Sequence, residues 1–386
     1  MEKRTKERSK KRIRQKYEKN EKELIMDKKK RYVIGAGQCG MRLAYNYYLQ
    51  FGKYGNNVLL GLSTSIEDSV SMPKSAVIQV DTVGSGKKFS AGAEIWSNNY
   101  NKLKRELSGI KDSDVVYFAS AGGGSGSSSI KFISDILLSS NNRIFLVMVL
   151  PFGYETLPFK PNAIRAISEI HDNGYADRMT VLLFNNDKLS KKFVDREIID
   201  IDHEVDVTNL EKINNYITGT ASLALDLIDV YHDPVKYSPF TIDELEHHSV
   251  LFSRGFLGVT VNDPDETEDM TKVKFEYGNI KEAKNVIVAK VNRLGESNYI
   301  IDQSVGGFLN NIKKISRKAK SARIMYGIIR TDKITNGTYI IIANKLDVSS
   351  YIGKIREKIG SAIESFRTEV KRESILKKEE LSDYDV

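Results

Sequence analysis

The sequence predicts an α/β fold: a first domain built on a parallel sheet, a long central helix, a second α+β domain and a C-terminal helix. Three observations predict it. Apolar runs of strand length recur at residues 32–34, 58–62, 76–80, 115–118, 144–150 and 181–184. Glycine-rich turns follow the first and fourth of these and lead into helical spacing. Met41, Leu43, Ala44, Tyr47 and Tyr48 carry it in one case, and Ile130, Ile133 and Leu137 in the other. Farther on, Leu210, Ile213, Ile217, Ala221, Leu225 and Ile228 draw one narrow apolar stripe along a single long helix.

Composition bounds the rest. A chain of 386 residues, 40% of them apolar, suggests two domains with extensions and a normal core. The single cysteine, Cys39, has no intrachain partner, which fits a reducing, cytoplasmic setting. No apolar run is long enough to span a bilayer, and no secretory signal is recognisable. The five histidines are scattered; the adjacent pair His247 and His248 would point about 100° apart on a helix, against a structural metal site. Charge is uneven: residues 1–31 hold 15 Lys/Arg against 6 Asp/Glu, while the whole chain is +8, so the body is close to neutral. That stretch reads as a mobile or partly helical basic tail. Contact with nucleic acid or an acidic partner and a merely solvated charged arm both stay open.

In order, the first turn reads Gly35-Ala36-Gly37-Gln38-Cys39-Gly40, a match to the dinucleotide fingerprint G-x-G-x-x-G. A nicotinamide-dependent oxidoreductase, the rival reading, wants Asp or Glu about 20 residues later to hold a ribose. The second strand ends instead in Ser63-Thr64-Ser65. After the third run comes Val83-Gly84-Ser85-Gly86-Lys87-Lys88; Asp81 and Lys88 stand where a P-loop needs Gly and Ser or Thr. Lys87 is either a phosphate-facing charge or a surface lysine. The fourth run leads into ASAGGGSGSSS, residues 119–129. Gly122, Gly123, Gly124 and Gly126 let backbone N–H groups approach a ligand, and Ser125, Ser127 and Ser128 add hydroxyl donors. With a helix N-terminus behind them, they suit a phosphate chain.

GGGSGS resembles the signature loop of the tubulin/FtsZ superfamily, with Ser125 where threonine is usual. Other loops resemble the family in the right order over residues 32–345. GQCG is similar to the first nucleotide loop of tubulins, Ser63-Thr64 falls where FtsZ proteins carry Asn-Thr, and the Gly84-Ser85-Gly86 run is similar to the loop that reaches the terminal phosphate. Pro151-Phe152-Gly153-Tyr154-Glu155 resembles PF-x-F-E, which makes Glu155 the ribose candidate; Phe159 stands where the family places an Arg. Asn185-Asn186-Asp187-Lys188-Leu189 resembles PNDRL and assigns Asn186 to the guanine edge, although Asn and Asp are also ordinary turn residues. On the long helix the resemblance implies a base contact from Asn214 or Asn215, with Asn215 preferred, and Glu211 stands where an aromatic often stacks on the base.

Beyond that helix, two prolines make residues 233–240 irregular. Thr241-x-x-Glu244 reads as a capping box. The resemblance places Glu244, with Asp243 beside it, as the acidic pair that acts on a neighbouring subunit's nucleotide. Residues 256–261, 286–291, 324–330 and 339–343 read as strands, 305–315 as a helix, and Asn336-Gly337 as a hairpin turn between the last two strands. Residues 263–272 read as an acidic surface loop. From Ser349 the spacing of Ile352, Ile355, Ile359, Ile363, Phe366 and Val370 predicts an amphipathic terminal helix. The expected division is a basic tail over 1–31, a Rossmann-like GTP-binding domain over 32–208, the central helix over 209–230, a second domain over 231–348, and the helix and tail over 349–386.

The resemblance thus implies a GTPase that binds GTP or GDP with Mg2+ and polymerises head to tail, one subunit completing the hydrolytic site of the next. Neither the adaptor-binding tail of FtsZ nor an acidic tubulin tail is recognisable. The chain therefore looks most like the TubZ-type tubulins that segregate plasmid or phage DNA, which implies a DNA-bound centromere adaptor as a further partner. An FtsZ-like role in cell division is the alternative. No protein side chain is assigned as a direct metal ligand.

Overall fold

A computed structural model describes residues 30–52, 56–155, 159–200, 203–228, 242–262, 275–293 and 298–382. The basic tail up to residue 29, the proline-containing stretch, Thr241 and the acidic loop lie outside these residues. The first half alternates strand and helix. β1 (Arg31–Ala36) feeds α1 (Gly37–Phe51), followed by β2 (Asn57–Ser63) and β3 (Val77–Gln79). Then come α2 (Phe89–Asn98), α3 (Tyr100–Glu106), β4 (Asp114–Ser120), α4 (Gly124–Ser139), β5 (Arg143–Leu150) and α5 (Phe159–His171). After β6 (Thr180–Asn185) and α6 (Asn186–Lys192), a small hairpin of β7 (Val194–Asp200) and β8 (His203–Thr208) precedes the long helix α7 (Leu210–Leu225). The second half holds α8 (Glu244–Leu251), β9 (Gly255–Asn262), β10 (Asn285–Asn292), α9 (Asn298–Lys318), β11 (Arg323–Arg330), β12 (Tyr339–Asn344) and α10 (Ser349–Ser382).

Ten strands form one sheet in the order β11-β10-β12-β9-β6-β5-β4-β1-β2-β3. All run parallel except β12, which is antiparallel to both β9 and β10. Helices cover both faces, which is why the strands read as continuous apolar runs rather than alternating ones. Along β4, Val115, Tyr117 and Ala119 enter the core beneath α4 and α5, while Val116 and Phe118 enter the opposite core beneath α1 and α7. Trp96 of α2 is fully buried, and its indole N–H donates to the carbonyl of Ser125 at 3.0 Å. This bond joins α2 to the first turn of α4, against which Gly92 also packs closely.

The central helix ends at Asp226. Its carboxylate is buried and accepts from Arg31, from the Tyr47 hydroxyl at 2.7 Å and from Ser222 at 3.0 Å. Burial also pushes the Tyr47 hydroxyl well above its ordinary pKa, so it stays a donor. Breaking such a buried pair from one side costs about 3–5 kcal/mol. The lower end of α7 is therefore locked to the start of β1.

Three expectations change. Asn336-Gly337 does turn, with Gly337 at φ 85, but it does not join β11 to β12 as a hairpin. The turn folds back onto β10, where the Gly337 N–H donates to Val291 at 2.8 Å, and β12 pairs with β10 while β11 lies on its far side. Helix α9 starts earlier than 305. Helix α8 is capped by Asp243, whose side chain accepts from the Glu246 N–H at 2.7 Å, so Glu244 is its first residue rather than its third. Asp243 with Glu246 three residues on is a capping pattern too, and Asp ranks above Thr as an N-cap. No helix among the described residues is long and apolar enough to cross a membrane.

Candidate functional site

A cleft of about 480 Å³ opens at the C-terminal ends of the parallel strands. The turn after β1 supplies Gly37, Gln38 and Cys39, and the turn after β4 supplies Gly123, Gly124, Ser125 and Gly126. Both turns open helices whose N-cap residues, Ala36 and Gly123, carry no side chain that can accept a hydrogen bond. Two sets of free N–H groups with aligned dipoles therefore face one cavity, the arrangement that suits an anion. Glycine is required by contact at two points. Gly37 has φ +65 and a Cβ there would sit 2.9 Å from the Gly126 nitrogen. A Cβ on Gly124 would sit 2.4 Å from Ser85 Oγ and 2.7 Å from the Lys88 nitrogen.

The loop after β3 closes this end with Gly84, Ser85, Gly86 and Lys87. Ser125 is its hub, since its hydroxyl meets those of Thr64 and, at 3.1 Å, Ser85. Several sequence candidates sit one step behind the lining. Thr64 is fully buried behind Ser125, and Ser63 donates to the Ser65 carbonyl. Ser127 donates to the Gly123 carbonyl at 2.5 Å. Gly35 lets α1 approach β1 at Gly40, and Gly122 lies under Pro151 and Phe159. Ser65, Arg42, Glu67 and Asp68 line the cleft without having been singled out from sequence.

The other end of the cleft is lined by side chains: Phe152, Glu155, Asn186, Leu210, Ile213 and Asn214. Glu155 accepts the Phe152 N–H at 2.7 Å; burial raises its carboxyl above the ordinary value, opposed by that hydrogen bond and by Lys87. Phe152 stacks on Tyr154, ring centres 5.0 Å apart at 18°. Burial pushes the Cys39 thiol up to about 11, so it stays neutral. Asn186 is 8% exposed, and its Oδ1 has no hydrogen-bond partner among the described residues. A buried amide oxygen left this way costs roughly 1–3 kcal/mol unless a ligand donates to it.

Helix α7 presents Asn214 to the cleft, not Asn215. The side chain of Asn215 accepts from Asn46 at 3.0 Å and Gln50 at 2.9 Å on α1. One residue is about 100° of helix. The same shift puts Leu210 on the cleft and leaves Glu211 off it, so the geometry favours Asn214 where the sequence favoured its neighbour.

Asp243 and Glu244 lie far from this cleft. Their helix α8 runs along the N-terminal edge of the sheet, touching the first residues of three strands. Glu246 pairs with Arg323 of β11 at 3.3 Å, Thr180 of β6 donates to the Leu251 carbonyl at 2.5 Å, and the Arg143 guanidinium of β5 lies 4.6 Å from the Phe252 ring. Both acids are exposed. A strand of 7 residues such as β4 spans about 23 Å, so no single copy brings them to its own cleft. Among the described residues no group of three or more His, Cys, Asp or Glu could enclose a metal ion.

Residues 30–193 match the family described as Tubulin/FtsZ family, GTPase domain. None of the curated protein sequences matches. Among solved structures, the chain is similar to a GTPγS-form protofilament of Bacillus thuringiensis serovar israelensis TubZ, at 17% identity over 90% of this chain and 94% of that one, TM-score 0.67. It is also similar to CetZ from Methanosaeta thermophila, at 17% identity over 92% and 97%, TM-score 0.62. The M. jannaschii FtsZ dimer follows at 15% identity over 87% and 93%, TM-score 0.59. The resemblance read in the sequence is borne out, and the fold is that of tubulin/FtsZ proteins. A TubZ-type reading is compatible with these neighbours, which also include CetZ and FtsZ.

Proposed function

We propose that this chain with a tubulin/FtsZ fold binds GTP in the cleft and hydrolyses it when a second copy stacks end-on, so that it forms filaments that turn over. The observation that carries the reading is the placement of the cleft and the acid pair at opposite edges of one sheet. Backbone N–H groups of residues 37–39, 84–86 and 123–126 hold the phosphates. Glu67 and Asp68 line the phosphate end, and one or two carboxylates beside phosphate oxygens suit Mg2+, which would offset phosphate charge. Glu155 accepts from the ribose. Asn186 Oδ1 accepts from the donor edge of guanine, with Asn214 beside it and Phe152, Leu210 and Ile213 as apolar walls.

Glu244 and Asp243 of the next copy orient the attacking water. The protofilament form of the TubZ relative supports such stacking. In this reading, which follows the TubZ resemblance, the filament moves plasmid or phage DNA in the cytoplasm, through a DNA-bound adaptor or the basic tail. The test is light scattering and phosphate release with GTP, with GDP and with a slowly hydrolysed analogue. Scattering with GTP and a specific activity that rises with protein concentration are expected. A rate per molecule independent of dilution, without elongation, overturns the reading.

A further inference from the structure

The terminal helix α10 docks behind the base-facing end of the cleft and grips both neighbours of Asn186. The Asn185 side chain donates to the Tyr351 hydroxyl at 3.1 Å, and Lys358 is ion-paired with Asp187. The hydrogen bond from Lys358 is the main cause that holds the Asp187 carboxyl below its ordinary value. Asn185 in turn caps α6, its Oδ1 accepting the Asp187 N–H at 3.0 Å, and its own N–H donates to Glu276 at 3.1 Å. Lys188 lies 4.7 Å over the Tyr351 ring. Residues on both sides of Asn186 are therefore fixed from outside the cleft that Asn186 lines, while its own buried amide oxygen has no hydrogen-bond partner among the described residues.

A second contact reaches the same end of the cleft. A cavity of about 80 Å³ lies between α10, at Ile355, Lys358 and Ile359, and the loop after β5. Pro151 and Phe152 form a wall of this cavity and of the nucleotide cleft alike. Gly153 comes so near Asp187 that a Cβ there would sit 2.2 Å from its Oδ1. The Lys358–Asp187 pair thus sits where the loop carrying Phe152 meets the helix carrying Asn186.

We propose that the docked start of α10 is a positioning element for base recognition: Tyr351 and Lys358, acting through Asn185 and Asp187, set the direction of the Asn186 amide and so the preference for guanine. This rests on the cleft binding a guanine nucleotide. Preorganisation of this kind raises affinity by removing freedom that binding would otherwise have to remove. It is also reciprocal: if docking of α10 favours the nucleotide, the nucleotide favours docking of α10 by the same factor.

The experiment compares GDP with IDP, which lacks the 2-amino donor, by calorimetric titration of the full chain at a concentration where it is monomeric. Wild type is expected to bind GDP more tightly than IDP. Lys358→Ala is expected to weaken GDP about fivefold, the low end of site-to-site couplings, while changing IDP little. Lys358→Arg restores the preference. Tyr351→Phe removes one hydroxyl and shifts the ratio in the same direction. Hydrogen exchange over residues 349–362 of wild type slows when GDP is added. An unchanged GDP/IDP ratio in both Lys358→Ala and Tyr351→Phe overturns the proposal, whether the affinities hold or fall together. Wild type that binds no guanine nucleotide overturns the functional reading instead.

Discussion

The two edges of the central sheet are built on opposite plans. At the C-terminal edge, the turns after β1 and β4 leave helix N–H groups facing open space, and Asn186 keeps an unpaired buried oxygen. At the N-terminal edge, polar groups are mostly consumed. Asp226 takes Arg31, Tyr47 and Ser222, and Asp114 takes Arg143 at 2.6 Å. His247 meets the Ala224 carbonyl at 2.7 Å, and burial holds His248 below the ordinary histidine value. Among the described residues there, the start of α8 stands out, with Asp243, Glu244 and Leu245 exposed, Leu245 at 83%. One edge has capacity to receive; the other, among the described residues, carries an acidic and apolar projection. Under the proposed function, a stack of identical copies would set the second kind of surface against the first.

The strongest way to break this contrast is Glu244→Gln. Loss of the acid should lower GTP turnover by about 100-fold or more, as for other groups that steer a proton. GDP affinity should stay unchanged and filaments should persist longer in sedimentation assays. Normal turnover in that variant removes the projecting edge from the chemistry. Next in size, Gly124→Ala forces a methyl against Ser85 and Lys88. A clash of about 1–3 kcal/mol should weaken GDP by roughly tenfold or more in calorimetry, with β4 and α4 still folded by circular dichroism.

A smaller effect sharpens the receiving edge. Asn214→Ala should weaken GDP several-fold, by about the worth of one hydrogen bond, while Asn215→Ala, whose side chain serves α1, should leave it unchanged. The reverse order would restore the helix phase read from the sequence. The mildest effect is with pH. Burial raises the Glu155 carboxyl, and its ionised form is the stronger acceptor for a ribose hydroxyl. Affinity should be full above that raised value and fall as pH drops through it, sooner than for an exposed glutamate. Glu155→Gln should flatten that dependence in titrations across mildly acidic pH.

Legibility in the sequence followed the physics of each part. The strands of the first half could be read because burial on both faces leaves no polar alternation to confuse them. The glycine turns that line the cleft could be read because close backbone approach admits glycine almost alone. The hairpin of β7 and β8 went unread: Asp195, Arg196 and Glu197 interrupt any apolar pattern. The turn at Asn336-Gly337 was recognised but its partner strand was not, because a local turn signal says nothing about which neighbour the returning strand meets. The choice between Asn214 and Asn215 depends on helix phase, and both have polar uses on their own side. Phe152 passed as part of a motif whose glutamate drew the attention. The roles of Tyr351 and Lys358 could not be read at all, since they act on residues 166 and 171 positions away along the chain.

Trp96 is the only tryptophan in the chain, and its indole N–H ends on the carbonyl of Ser125. Tryptophan emission therefore comes from a single buried site, one hydrogen bond removed from the loop that would meet the phosphates. The protein carries its own optical probe at that point. If the cleft fills and empties as proposed, tryptophan emission is expected to follow it on the unlabelled chain, without a dye that would crowd the place being watched.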